Sequence, residues 1–138
     1  MCGGVIFKHE NKDVTVYFPS PEAVLPVRLK SGDHCQVKWG RRKEEQGVFP
    51  PGGWARHESV LMGVWDRYFP RPVLIMVDQF MEKDKDGTSH WYPLSRSTYI
   101  QGLIAHDRDE RRVYVVTIDS ENEHEAIHDR WPRIVNAL

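Results

Sequence analysis

Cys2 is the residue whose chemistry depends most on its position. With Met1 removed it carries a thiol and an α-amine on adjacent carbons. Such a 1,2-aminothiol condenses with an aldehyde to a Schiff base, which the sulfur closes into a five-membered thiazolidine. The α-amine has a reference pKa of about 7.7–8.0, leaving a useful neutral fraction near pH 7, and the thiolate is a strong nucleophile. Cys35 has no adjacent amine and cannot do this chemistry. The plainer role for Cys2 is that of a small buried residue, as free cysteine commonly is. Two cysteines in all point away from a disulfide-built secreted scaffold.

Two other groupings carry potential chemistry. His124-Glu125-Ala126-Ile127-His128 fits the H-E-x-x-H pattern. On a helix that pattern sets two imidazoles on one face for zinc, with the glutamate as the base that activates water. No His or Glu follows His128 to complete the ligand set, and Asp129 is poorly placed beside it, so a zinc peptidase is the third reading and no cofactor is expected. The plain reading of His124 is a solvated helix residue. Arg41-Arg42-Lys43 follow Trp39-Gly40. Together with Arg56, Arg67 and Arg71 they suit one groove in which cations hold phosphates while Trp39 or Trp54 stacks on bases. Glu44-Glu45 dilute that cluster, and a solvated charged loop is the competing description. Arg108, Arg111 and Arg112 alternate with Asp107, Asp109 and Glu110 and read as a solvated turn between strands.

These groups must be positioned by a chain of 138 residues, 40% hydrophobic and 28% charged, which has the apolar mass for one core and not two. A formal charge of -1 excludes a strong overall field toward nucleic acid, so any polyanion contact is local. The longest apolar runs, such as 73–77, fall far short of the roughly 18 residues needed to span a bilayer. No signal segment opens the chain, so a cytoplasmic location is expected. Residues 3–8 and 14–18 predict one hairpin; 24–30 and 35–39 predict a second, with Pro26 marking an edge strand. Residues 41–53 read as a loop. The spacing of Val60, Leu61, Val64 and Trp65 predicts a helix over 55–65. Strands are expected at 73–77, 90–93, 99–105 and 112–118, then a second helix over 121–128 capped at Asp119-Ser120. The sum is an α+β class: a single β-rich domain with mixed and antiparallel sheets and a few short helices.

Several of these segments occur in the order of a known family. Met1-Cys2-Gly3, Trp39-Gly40, Ala55-Arg56-His57-Glu58-Ser59, the strand after Arg71 followed by Asp78-Gln79-Phe80-Met81-Glu82, Gly102-Leu103, and Ile127-His128-Asp129-Arg130-Trp131-Pro132 resemble the SOS response-associated peptidase (SRAP) family. The resemblance spans nearly the whole chain and implies one SRAP-like domain over 1–138. It implies a protein of the DNA-damage response that binds single-stranded DNA and links its processed N-terminal cysteine to the aldehyde of an abasic site, associating with the nucleoid when on DNA. Residue by residue, it implies Cys2 as nucleophile, Glu82 as general acid/base, His128 as a second proton-transfer group and Arg56 as a phosphate contact. Opening deoxyribose and dehydrating a carbinolamine both need proton transfer, which a histidine performs well near neutrality. Glu82 would need burial to raise its pKa; its plain alternative is a solvated carboxylate at a strand end. For His128 the plain alternative is a helix C-terminal histidine. Two positions depart from the family. Trp54 stands where it has Asn, and an indole lacks an amide's paired donor and acceptor. Gly4 stands where it usually has Arg. The alternative in a different class is a non-catalytic DNA-binding or interaction module of the same fold. No membrane partner is expected, and enzymatic activity and oligomeric state are left open by the residues.

Overall fold

Alternation of β-branched and aromatic residues with polar ones builds most of this chain. The structure is a computed structural model that describes residues 2–121, 124 and 127–138. In chain order the strands are β1 (Gly4–His9), β2 (Lys12–Tyr17), β3 (Val24–Arg28), β4 (His34–Lys38), β5 (Trp54–Arg56), β6 (Arg71–Ile75), β7 (Gln79–Lys83), β8 (Ser89–Pro93), β9 (Tyr99–Asp107), β10 (Glu110–Asp119), β11 (Arg130–Pro132) and β12 (Ile134–Val135). One helix, α1 (His57–Leu61), and a 3-10 turn at Asp66–Tyr68 accompany them among the described residues. The expected β-rich α+β class is what the chain adopts.

The smaller sheet has the order β2-β1-β7-β8. Its first hairpin closes at His9 and Lys12 around Glu10 and Asn11, whose φ values of 51° and 65° give the primed turn that matches the strand twist. The larger sheet runs β11-β10-β9-β6-β3-β4, with β12 added to β9 and β5 lying parallel to β10. It does not stay open. Trp39, just past β4, bridges Val113 of β10, and Gly40 N–H donates to Val113 O at 2.9 Å, so the sheet curls until β4 meets β10. Val27, Val37, Val73, Ile75, Ile100, Ile104, Val113 and Val115, each at most 2% exposed, fill the inside with Trp39. The small sheet adds Val5, Phe7 and Phe80 to the same core. On the outer face, Leu103, Ala105, Tyr114 and Val116 form a second cluster under Phe49 and Trp65.

The structure corrects several expectations. The predicted 55–65 helix shrinks to α1, because Ala55 is buried in the parallel pairing with Val116 and Gly63 at φ +82° breaks the turn. Leu61 and Val64 stay 74% and 62% exposed, leaving Trp65 as that segment's buried anchor. Pro26 does not mark an edge: β3 is interior, and β6 pairs with it only at Val27 and Arg28. Pro26 escapes conflict because just its carbonyl is used there, by Met76 N–H at 2.9 Å. Of the helix expected over 121–128, residues 122, 123, 125 and 126 lie outside the described residues. Ser120, the expected cap, donates its hydroxyl to His128 O and its N–H to Asp129 O.

The loop after Gly40 is ordered by its arginines. Arg41 donates to the carbonyls of Phe49, at 2.6 Å, and Glu45. Arg42 donates to Ser20 O and lies over the Phe18 ring, 4.3 Å from its centroid. Gly53 O accepts both the Trp39 indole N–H and the Val115 amide, each at 2.9 Å. Gly40 makes the sharpest demand: at φ +55°, a Cβ there would meet Gly52 O at 2.2 Å. Gly40→Ala is therefore expected to destabilise the fold by about 2 kcal/mol or more, since left-handed strain and a backbone collision add. Urea unfolding measures it, and an unchanged midpoint would show that the closure of β4 onto β10 is not tight.

Candidate functional site

Cys2 lies two residues before the start of β1, stitched to both sheets. From the larger sheet the Trp54 indole N–H donates to Cys2 O at 2.6 Å; on the small-sheet side Gly3 N–H donates to Met81 O at 3.0 Å. The residue is fully buried, with its thiol directed at Gly4 O, 3.5 Å away. Burial, and secondarily the charge of Glu82, pushes the thiol pKa up to about 12.

Glu82 is placed by period-two alternation. On β7, Phe80 and Glu82 share one buried face, while Met81, also buried, and Lys83 lie on the other and line a cavity. The neighbours on that inner face are apolar: the rings of Phe80 and Tyr92 stack at 5.5 Å, and Trp131 meets both edge-on. Glu82 is 0% exposed, and burial raises its carboxyl pKa to about 7. The plain alternative of a solvated carboxylate is thereby excluded.

His128 is held by the segment that follows it. Arg130, 4% exposed, donates to both Glu58 oxygens at 3.0 Å, to Asp119 at 2.9 Å, and to Thr117 O and Oγ1 at 2.8 and 3.0 Å. This clamp fixes β11 against β10 and α1. His128 Nδ1 lies 3.1 Å from the Arg130 backbone N and 3.0 Å from Asp129 Oδ1, so the imidazole is held between the segment's backbone and a carboxylate. Desolvation holds the imidazole below the ordinary histidine pKa.

A cavity of about 480 Å³ joins these parts. Tyr17, Phe18 and Trp54 form an aromatic wall, Lys83, Ser89 and His128 supply polar groups, and Gly3, Pro19 and Met81 complete it. Cys2 and Glu82 are fully buried and do not line the cavity; Cys2 adjoins it through its carbonyl, which accepts from the Trp54 indole. Trp54 is half-buried, in contact with Phe18 at 4.9 Å between ring centroids, and faces the cavity. Trp54 and His128 thus line one cavity, Cys2 is bonded to Trp54 beside it, and Glu82 is near enough to Cys2 for its charge to act on the thiol.

The basic and aromatic residues are not. Trp39 is 0% exposed in the core, so neither ring face is open to a base. Arg41 and Arg42 are spent on loop carbonyls. Arg56 is exposed at the start of α1, and Arg71 lines a different cavity that shares no residue with the first. The single groove expected from Arg41, Arg42, Arg56 and Arg71 does not form, because the curling sheet distributes them to separate surfaces. The zinc motif falls partly outside the described residues at Glu125 and Ala126. His124 stacks on Trp131 at 4.1 Å, and no cluster of three metal-binding side chains occurs among the described residues.

Sequence reasoning missed Tyr17, Phe18 and Lys83 as cavity residues. Lys83 reads as one member of the charged run 83–86, yet treating 79–83 as a strand would have put Met81 and Lys83 on one face and Glu82 on the other. No protein-family model matches this chain, and no curated protein sequence matches it.

Glu82 links this site to stability. Between its ordinary pKa of 4.5 and about 7, the folded protein holds a proton that the unfolded chain has released. Folding is therefore favoured below pH 4.5, as far as this group is concerned, and weakened as pH rises through 7, by on the order of 3 kcal/mol when complete. Glu82→Gln is expected to remove that slope and to stabilise the protein at pH 8 more than at pH 5. Denaturant titrations at the two pH values check this; an equal effect at both would contradict the burial of an ionisable carboxyl.

Proposed function

We propose that this protein captures aldehydes of abasic single-stranded DNA through Cys2, after removal of Met1. The observation that supports it best is the buried carboxyl with a pKa of about 7 beside the Cys2 thiol, under a cavity with an aromatic wall. In this reading the Cys2 amine attacks the aldehyde carbon to give a carbinolamine. Glu82, whose carboxyl pKa burial raises to about 7, delivers the proton that lets water leave. The resulting imine is then closed by the thiol: sulfur bonds to the former aldehyde carbon, and the thiol proton passes through the Glu82 carboxylate to the nitrogen. The products are a thiazolidine and one water, with no oxidant or reductant. A thiol held protonated by burial needs such a base, which is why Glu82 and Cys2 act together. His128, neutral near pH 7, serves as the second proton carrier at the cavity wall, and Trp54 offers a face on which a base can stack.

The total burial of Cys2 supports a second reading, in which the same fold binds DNA or a partner with no bond formed. One experiment separates the two. Intact mass is recorded for protein shown to lack Met1, before and after incubation with abasic single-stranded DNA. Capture is expected to add the mass of the DNA less one water. Cys2→Ser is expected to lose the stable adduct, Cys35→Ser to keep it, and Glu82→Gln to slow it roughly 10²–10⁴-fold. If wild type and Trp54→Asn both fail to react, the binding-module reading stands; if only Trp54→Asn reacts, the chemistry was lost at that position.

A further inference from the structure

The curled sheet has an open end at which cations gather. A cavity of about 330 Å³ there is floored by Leu29, Val73 and Ile104 and rimmed by Lys30, Arg71, Arg111 and His106. The register explains why cations gather at this end. Arg71 on β6 is opposite Ile104 on β9, His106 lies two residues further along β9, and Arg111 on β10 is opposite His106. Period-two alternation therefore puts Arg71, His106 and Arg111 on the inner face of three adjacent strands, one row beyond Val73, Ile104 and Val113 of the core. Arg111 reaches across the opening, its Nη2 3.5 Å from the Cys35 sulfur of β4. His106 Nδ1–H donates to Phe69 O at 3.0 Å, which anchors its ring at the rim.

These charges are not neutralised locally. Among the described residues no carboxylate forms an ion pair with Lys30, Arg71 or Arg111. The nearby acids point elsewhere: Glu110 pairs with Arg112 at 3.1 Å, and Asp33 accepts from Ser31 at 3.2 Å. Asp107 alternates to the face opposite His106.

We infer that this mouth is a binding site for a phosphate monoester, distinct from the Cys2 cavity and independent of the aldehyde-capture reading. Three cations around one opening suit a dianion better than a single carboxylate. The tetrahedral phosphate presents oxygens toward several walls at once, and each guanidinium can donate two parallel hydrogen bonds to it. The apolar floor takes the organic part of the ligand, and the mouth of a small β-barrel is a common place for such a pocket.

Titration of the isotope-labelled full chain with inorganic phosphate, at constant ionic strength, tests this by amide chemical shifts. Saturable shifts are expected at residues 29–31, 71–73, 104–106 and 111. Arg71→Gln and Arg111→Gln, both at exposed positions, are each expected to weaken binding by about tenfold or more, as for loss of a charge-assisted hydrogen bond. Thymidine 5′-monophosphate and a 5′-phosphorylated oligothymidylate, the latter compared with its 5′-hydroxyl form, separate a free phosphomonoester from a strand end; tighter binding of either than of inorganic phosphate supports the site and identifies the source. Shifts that never saturate, or saturation with unchanged affinity in the Arg71→Gln/Arg111→Gln double variant, would overturn it.

Discussion

A carboxyl group held at zero exposure between two sheets opposes folding whenever it is charged, and the arrangement around Glu82 follows from that constraint. The group cannot be moved to solvent without turning Phe80, its neighbour on the same face of β7, out of the core, because a strand's alternation ties the two together. It therefore remains inside and keeps its proton up to about pH 7. The thiol of Cys2 is subject to the same burial, and the charge of Glu82 adds to it. Two groups that each resist ionisation, set side by side, can exchange a proton where neither readily releases one to water. The Trp54 indole bond to Cys2 O and the Gly3 bond to Met81 O keep the chain from relieving the strain by lifting the N-terminal segment away.

The larger sheet supplies the other half of the design. Its closure through Trp39, Gly40 and Gly53 creates two ends, one near the Cys2 cavity and one ringed by Arg71, Arg111 and Lys30. Arginines that look alike in the chain are thereby given different work. Arg41 and Arg42 hold the 41–53 loop by hydrogen bonds to carbonyls, Arg130 clamps three elements, and Arg71 and Arg111 keep their charge at an open mouth.

Much of this was legible in the residues, for identifiable reasons. The first hairpin and β10 declare themselves by alternation, β9 by its β-rich composition, and the class of fold follows from the number of strands. The two-stranded reading of 24–39 was right in its pairing and wrong in its position, since whether Pro26 lies at an edge depends on a partner 50 residues away. The 55–65 helix failed because a parallel partner, β10, captures Ala55 from a distance that local periodicity cannot register. Glu82 was picked out by its family-like segment; its burial was visible only once 79–83 is seen as a strand. Trp39 and Trp54 are equivalent as sequence, and tertiary closure alone makes one a core residue and the other a cavity wall.

Aldehyde capture at this site requires Glu82 to be a carboxyl poised at neutrality beside Cys2. Its ionisation can be followed directly in protein carrying ¹³C-carboxyl glutamate, with Glu82→Gln to assign the signal. A midpoint near pH 7 is the expected result. A midpoint near 4.5 would mean that the carboxyl is solvated, and the site as described would not exist.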